Sequence, residues 1–139
     1  MPVSDEAHES AQESAVSIDR PVAAVWELVG AFGGLDTWMP GVDACRVDGD
    51  TRILEVFGME ITERLVRRDD AARLLEYTIV QSPLNLTSHL SRIEVHEHGE
   101  GSRVTWHVEA SPDHLTELLA GTYQQALDAM KARLEAQGG

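Results

Sequence analysis

The apolar residues near the end of the chain predict one long amphipathic helix. They recur three or four positions apart, which places them along one face of a helix. The residues on this face are Leu115, Leu118, Leu119, Tyr123, Ala126, Leu127, Met130 and Leu134. Ser111-Pro112-Asp113 supplies the start, because serine and aspartate cap a first turn and proline fits the first helical position. We therefore expect a long helix after this tripeptide, with one side facing the core.

The pattern before this helix predicts one strand, two short helices and then an almost unbroken run of strands. Residues 14–19 alternate in polarity, as a half-buried strand does. Apolar residues at helical spacing follow Arg20-Pro21 and stop at Gly30; they are Val22, Val25, Trp26 and Val29. A second short helix is expected at about residues 34–39, before Pro40-Gly41. Turn-forming residues then divide the chain into strands at 42–48, 51–57, 60–68, 73–81, 86–98 and 104–110.

Two hairpin turns set the expected register of these strands. Gly58-Met59 fits a two-residue turn with glycine first. Residues 99–102 form a four-residue loop in the last hairpin. The residue pairs that this loop brings together on the outer face are Arg92 with Glu109 and Glu94 with His107. Opposite charges meet in both pairs, which supports the register.

The alternation of side chains along these strands places several polar residues on the inner face. Glu63 alternates with Ile61 and therefore shares its direction. His89 and Ser91 are in step with Ile93 and should also point inward. An antiparallel sheet that wraps around a long helix leaves space between the two, so these polar groups are candidates for contact with a bound molecule.

Length and composition are those of one globular domain with a core. The chain has 139 residues, of which 42% are hydrophobic. Its first residues are polar and acidic, with no apolar core of the kind a signal peptide needs. We expect residues 1–13 to form a disordered acidic tail and residues 14–139 to form a single α+β domain.

The charge balance argues against two classes of partner. Lysine and arginine number 11 against 24 aspartate and glutamate residues, a formal net charge of -13. Binding of nucleic acid needs clustered cations, and an anionic membrane surface repels such a chain. We therefore expect no nucleic acid and no membrane among its partners.

Few residues suggest redox or metal chemistry. Cys45 is the only cysteine, so no internal disulfide is possible. His96 and His98 share a face with His107 of the neighbouring strand, but that face is exposed, and a surface position explains them better than a metal site. No nucleotide loop, serine elbow or metalloprotease signature occurs. We expect a cytoplasmic protein, monomeric or homodimeric, without metal or cofactor.

Several short motifs together resemble the START and birch-pollen-allergen superfamily, in its bacterial polyketide cyclase/dehydrase-like branch. The resemblance extends from about Ala15 to Glu135 and depends on the order and spacing of the motifs. They are Ile18-Asp19-Arg20-Pro21-Val22 with Val25-Trp26, Leu35-Asp36-Thr37-Trp38-Met39-Pro40-Gly41-Val42, Glu63-Arg64-Leu65 with Asp69-Asp70, Arg103-Val104-Thr105-Trp106, and the final helix.

This resemblance implies a helix-grip fold, in which a seven-stranded curved antiparallel sheet grips the last helix around a cavity. It also implies a small, mostly apolar ligand such as a polyketide, lipid, sterol or plant hormone. Carriers, receptors and enzymes share the fold, so the fold does not decide among them. The short turn at Gly58-Met59 lacks the longer glycine-rich lid of the hormone receptors.

Two inward residues are candidates for acid–base chemistry. Glu63 belongs to the Glu-Arg-Leu motif, where similar proteins carry a polar or acidic cavity residue, and burial would favour its neutral form. His89 stands where relatives often have a ligand-contacting tyrosine, and it could donate to a carbonyl or move a proton. The further residues expected to contact a ligand are Trp38, Tyr77, Ile79, Ser91, Trp106, Leu119, Tyr123 and Leu127.

Three functional hypotheses follow. The first is a carrier or sensor of a small apolar molecule, in which Glu63 is neutralised by Arg64 or Arg46. The second is a cyclase or dehydratase that uses Glu63 and His89 as acid and base, with Tyr77 or Ser91 orienting a substrate carbonyl. The third is a protein-interaction module with a filled core and an acidic surface.

Overall fold

The computed structural model describes residues 10–138 and shows an α+β domain built from one sheet and one long helix. The strands are β1 Ser10–Ile18, β2 Val42–Asp48, β3 Thr51–Val56, β4 Met59–Asp69, β5 Leu74–Gln81, β6 Ser88–His98 and β7 Gly101–Ser111. The helices are α1 Val22–Val29, a 3-10 helix Phe32–Thr37 and α2 Asp113–Gly138. This is the expected element order.

The seven strands form a single antiparallel sheet in the order β1-β7-β6-β5-β4-β3-β2. Helix α2 packs against β1 and β7, and α1 against β6 and β7. The side chains of the inner sheet face and of α2 form one buried core. The helix-grip fold expected from the resemblance is therefore confirmed.

The predicted apolar face of α2 is buried with one exception. Tyr123, Leu127 and Met130 are almost inaccessible to solvent, whereas Leu118 is 54% exposed. Leu118 instead lines a surface pocket together with Phe57 and Leu84. Among residues 10–138, no helix is both long and apolar enough to cross a membrane.

Strand β1 begins earlier than its apolar pattern indicates. It starts at Ser10 and pairs with β7 along its whole length, from Ser10 opposite Ala110 to Ile18 opposite Ser102. Backbone hydrogen bonds hold its polar first half, which alternation of apolar residues cannot reveal. Residues 10–13 of the predicted tail thus belong to the sheet, and residues 1–9 lie outside the described part of the chain.

The β3–β4 turn is shifted by one residue from its expected place. The two loop residues are Phe57 and Gly58, both with positive φ (49° and 81°), and Val56 pairs with Met59. Two positive φ values are the signature of a type I′ turn. The Phe57 ring covers Gly41, and the backbone N–H of Phe57 donates to the carbonyl oxygen of Gly41 at 2.9 Å. These contacts hold a bulky residue in the left-handed conformation.

The register of the last hairpin differs from the expected one by two positions. The loop contains only Gly99 and Glu100, so Arg92 pairs with His107 and Glu94 with Thr105. Arg92 instead forms ion pairs with Glu94 at 3.1 Å and Glu76 at 3.7 Å. A slip of two residues keeps every side chain on the same face, and for this reason the predicted inward residues remain inward.

Candidate functional site

A buried ion pair joins β3 and β4 inside the sheet. Arg52 and Glu63 are directly opposite each other in the hairpin. Nε and Nη2 of Arg52 each lie 2.7 Å from Oε1 of Glu63, and the two side chains are 3% and 7% exposed. Nη1 of Arg52 donates to the carbonyl oxygen of Phe32 at 2.9 Å. A charge this deeply buried requires such paired hydrogen bonds.

Aromatic rings complete the surroundings of the guanidinium. Cζ of Arg52 lies 4.4 Å from the ring centre of Phe32 and 4.8 Å from that of Tyr77, both within range of a cation–π contact. The two expected partners of Glu63, Arg64 and Arg46, are exposed, and that expectation is wrong.

The charge of Glu63 is offset by its partner. Burial raises the pKa of the Glu63 carboxyl, while the charge and the hydrogen bonds of Arg52 lower it, and the net direction is upward. Because arginine stays protonated in proteins, the ionised carboxylate and the guanidinium together carry no net charge. The pair therefore places polar atoms in the core without a net charge.

A second polar cluster is a chain of hydrogen bonds across the core. Nε1 of Trp106 donates to the Tyr77 hydroxyl at 3.2 Å, and Tyr77 donates to the Tyr123 hydroxyl at 3.0 Å. The chain continues from Tyr123 to Oγ of Ser91 at 3.1 Å and from there to Nε2 of His89 at 2.9 Å. Burial raises the pKa of both phenols, so they remain protonated.

His89 is held at the end of the β5–β6 ladder. The last paired residues of these strands are Tyr77 and Ser91, and beyond them the backbone N–H of Ile79 donates to Nδ1 of His89 at 3.0 Å. Nδ1 of the imidazole thus accepts a hydrogen bond that a backbone carbonyl of β6 would accept in a regular strand pair. Burial lowers the pKa of His89 to about 4, so the ring is neutral at pH 7.

An inner cavity lies beside the ion pair and the phenols. Its volume is about 50 Å³, and its walls include Leu54 and Ile61 together with Glu63, Tyr77 and Tyr123. Glu63 is the one charged residue that lines it among the described residues. A cavity of this size holds a few water molecules and is too small for a polyketide.

An outer pocket adjoins the inner cavity at the surface. Its volume is about 190 Å³, and it lies between the β3–β4 turn, Leu84 and the first half of α2. The residues common to both spaces are Val56, Ile61, Leu119 and Thr122. The rim exposes two large apolar side chains, Phe57 at 64% and Leu118 at 54%. The two spaces lie side by side and share these four wall residues, and we refer to them together as the apolar recess.

The structure separates the predicted ligand residues into two groups. The residues that line the inner cavity are Glu63, Tyr77, Ile79, Leu119 and Tyr123. The residues that line neither space are Trp38, His89, Ser91, Trp106 and Leu127. The Trp106 and Tyr123 rings stack 3.9 Å apart with an interplanar angle of 1°, which fills the centre of the expected hollow.

Arg52 is the main site residue that sequence reasoning missed. It alternates with Leu54 and Val56 on the inner face of β3, and this pattern could have revealed it. A turn at Gly58-Met59, however, would place Glu63 opposite Leu54. The predicted register therefore did not bring Arg52 next to Glu63. The rim residues were missed because an exposed turn residue such as Phe57 shows no periodicity.

The other polar candidates are used in local contacts. His107 bonds to Glu109 at 2.9 Å, and His96 lies 3.4 Å from Oγ1 of Thr105. No cluster of three or more metal-ligating side chains occurs in residues 10–138. Burial raises the pKa of the half-buried Cys45 thiol, which points to the Phe32 carbonyl at 3.9 Å.

A larger open groove of about 300 Å³ lies near the last turns of α2. Its charged groups bind one another: Nζ of Lys131 donates to Glu135 at 2.7 Å, and the same carboxylate accepts from the backbone N–H of Asp19 at 2.9 Å. With Lys131 and Glu135 paired and its sides open to solvent, this groove is a weaker candidate than the apolar recess.

Solved structures of related proteins share the architecture. A protein from Bacillus thuringiensis is 28% identical, with a TM-score of 0.85 over 89% of this chain and 98% of that one. XoxI from Bacillus cereus is 28% identical, with a TM-score of 0.85 over 89% and 94% of the two chains. A START superfamily protein from Mycobacterium smegmatis, 14% identical, has a TM-score of 0.76 over 91% and 98%.

Sequence comparison identifies the family. A comparison with curated proteins gives no significant match. Residues 10–135, however, match the family described as polyketide cyclase/dehydrase and lipid transport. This match spans nearly all of the described domain and agrees with the observed fold. The chain therefore belongs to the polyketide cyclase/dehydrase and lipid transport family.

Proposed function

We propose that this protein binds a small, largely apolar molecule in the recess formed by the outer pocket and the inner cavity, as a carrier or sensor. The observation that supports this most strongly is that two adjoining, mostly apolar spaces share four wall residues, Val56, Ile61, Leu119 and Thr122. An apolar cleft with a few polar groups at its end is the usual form of a small-molecule site.

The volume limits the ligand. The outer pocket measures about 190 Å³ and the inner cavity about 50 Å³, below the range of about 300–1,000 Å³ typical of drug-sized ligands. An apolar cavity of about 150 Å³ accommodates benzene. The recess as it stands therefore suits a single aromatic ring or a short acyl chain rather than a multi-ring polyketide.

The state of Glu63 favours binding over catalysis. Its Oε1 atom already accepts a hydrogen bond from Nε of Arg52 and lies 2.7 Å from Nη2, and the pair is neutral as a whole. A general base in the recess would need a carboxylate free to take a proton from the ligand. We infer that Glu63 contributes polarity to the end of the recess rather than acid–base chemistry.

The cyclase or dehydratase hypothesis stays a prediction. His89 lines neither space, and both of its ring nitrogens are engaged, by the N–H of Ile79 and by Ser91. Its role in this proposal is to support the hydroxyl chain. Turnover of a polyketide-like substrate that falls strongly in both Glu63→Gln and His89→Phe would favour the enzyme over the carrier.

The proposal is tested by blocking the recess from its rim. Thr122 lines both spaces and is half-buried on α2, so Thr122→Trp fills the recess without removing a core side chain. Gln125→Trp adds the same indole at an exposed position of the same helix and serves as the matched control. With ethylbenzene as the probe, followed by NMR titration, we expect Thr122→Trp to weaken binding about tenfold or more and Gln125→Trp to leave it unchanged.

Two outcomes would contradict this proposal. Ethylbenzene that causes no saturable change in the wild-type spectrum would show that the recess takes up no small apolar molecule. Equal affinity in Thr122→Trp and Gln125→Trp would show that the molecule binds elsewhere.

A further inference from the structure

We propose that Tyr123 presents an unpaired hydroxyl hydrogen to the inner cavity, and that the site therefore selects ligands with a neutral hydrogen-bond acceptor such as a carbonyl oxygen. This inference rests on the proposed function and specifies the chemistry of its ligand. It follows from a count of hydrogens along the chain of hydrogen bonds that runs from Trp106 to His89.

Both ends of this chain are donors. At one end, the indole N–H of Trp106 can only donate, and it donates to the Tyr77 hydroxyl. At the other end, Nδ1 of His89 accepts the backbone N–H of Ile79 and so carries no hydrogen. The neutral ring then carries its hydrogen on Nε2, which donates to Oγ of Ser91 at 2.9 Å.

The count leaves one hydrogen over. Three hydroxyls, those of Tyr77, Tyr123 and Ser91, stand between the two terminal donors. The five groups are joined by four hydrogen bonds but carry five hydrogens that can be donated. The terminal donors supply two of the bonds, so the two inner bonds use only two of the three hydroxyl hydrogens. One O–H has no acceptor within the chain.

The surplus hydrogen belongs on Tyr123. The Tyr77 hydroxyl donates to Tyr123, so the free hydrogen is on either Tyr123 or Ser91. Ser91 is fully buried and lines neither space, and a hydrogen left there would have no partner. Tyr123 lines the inner cavity, where a ligand or a water molecule can accept. The arrangement that avoids a buried unsatisfied donor therefore has Ser91 donating to Tyr123 and Tyr123 donating into the cavity.

The surroundings of this donor favour a neutral acceptor over an anion. Glu63 lines the same cavity, whereas its partner Arg52 does not. Burial is the main cause that raises the pKa of Tyr123, the charge of Glu63 raises it further, and Arg52 lowers it. A ligand carboxylate would face this charge with no cation of its own to bind, while a ketone, aldehyde, ester or amide oxygen would accept from Tyr123 without that cost.

A matched pair of probes tests the selectivity. Acetophenone and ethylbenzene have nearly the same shape and differ in a carbonyl oxygen. We expect the wild-type protein to bind acetophenone up to about tenfold more tightly, the value of one net hydrogen bond. Tyr123→Phe should abolish the preference. Ser91→Ala also deletes one hydroxyl from the chain but keeps the Tyr123 donor, so it should retain the preference.

The tautomer of His89 supplies a test that needs no ligand or variant. Long-range 1H–15N NMR should show the hydrogen on Nε2 at pH 7. A hydrogen on Nδ1 would make Nε2 an acceptor, the count would close, and the inference would be overturned.

The binding results separate the two proposals. Equal affinity for both probes in the wild-type protein overturns the inference and leaves the proposed function intact. A preference that persists in Tyr123→Phe also overturns it. Binding of neither probe contradicts the proposed function, and the inference then fails with it.

Discussion

Arg52 and Glu63 form a buried ion pair in which Nε and Nη2 of the arginine both lie 2.7 Å from Oε1 of the glutamate. The pair connects two adjacent strands at the closed end of the recess. Each charge depends on the other, because both side chains are almost fully buried.

Removal of one partner of this pair should cost more stability than removal of both. Arg52→Met leaves the Glu63 carboxylate buried without its cation, and we expect a loss of about 3–5 kcal/mol in the free energy of unfolding. Arg52→Met/Glu63→Leu replaces both charges by apolar side chains and should recover most of that loss. Urea denaturation at pH 7 measures both values. A double variant less stable than Arg52→Met would contradict this view of the pair.

His89 should make stability depend on pH in a defined window. Its pKa is lowered from 6.5 to about 4 in the folded protein, so the unfolded chain binds the proton more readily. Stability is then complete above about pH 6.5 and declines as the pH falls towards 4, by about 3 kcal/mol in all.

The control for this pH effect is a variant without the imidazole. The many carboxylates of the chain also titrate in this range, so the quantity to measure is the difference between wild type and His89→Gln. Unfolding free energies at pH 7 and pH 4.5 should show a smaller decrease in His89→Gln. An equal decrease in the wild type and in His89→Gln would mean that His89 is not held neutral by burial.

The stacked Trp106 and Tyr123 rings should determine the size of the interior. Trp106 is 2% exposed and lies 3.9 Å from Tyr123, and Trp106→Ala should cost about 3–5 kcal/mol. The space that it opens should admit a larger apolar molecule. We expect N-phenyl-1-naphthylamine fluorescence to increase with the folded variant and to change little with wild type. A similar increase with wild type would show that the centre opens without the substitution.

Two glycines should respond in opposite directions to the same substitution. Gly41 has φ +86°, and an added Cβ would lie 2.3 Å from the Phe57 ring, so Gly41→Ala should destabilise the fold by more than about 1 kcal/mol. Gly121 lies on the exposed side of α2 with open space around its Cα, and Gly121→Ala should stabilise by up to about 1 kcal/mol. Thermal unfolding measures both shifts. Stabilisation by Gly41→Ala would contradict the described β3–β4 turn.

The sequence predicted the fold well because the fold depends on local periodicity. The three-and-four spacing around Tyr123 and Leu127 identified α2, and alternation placed Glu63 and Ser91 on the inner face. A register error of two residues in the last hairpin did not change which side chains were predicted to face the core, because side-chain direction repeats every two residues along a strand.

The details of the site depended on features that periodicity does not record. The β3–β4 turn was misplaced by one residue because Phe57 adopts positive φ through its contact with Gly41, which lies 16 positions earlier in the chain at the open end of the β2–β3 hairpin. That single error hid the pairing of Arg52 with Glu63. Alternation also states which side chains point inward but not how much volume they occupy, so the stacking of Trp106 on Tyr123 could not be anticipated.

The recess between the β3–β4 turn and α2 should take up a small apolar molecule. Intermolecular nuclear Overhauser effects between ethylbenzene and the methyl groups of the protein test it most directly. We predict contacts to Ile61 and Leu119, which line both spaces, and none to Leu134 at the far end of α2. Contacts confined to Leu134 and its neighbours, or none at saturating ethylbenzene, would show that the recess is not the binding site.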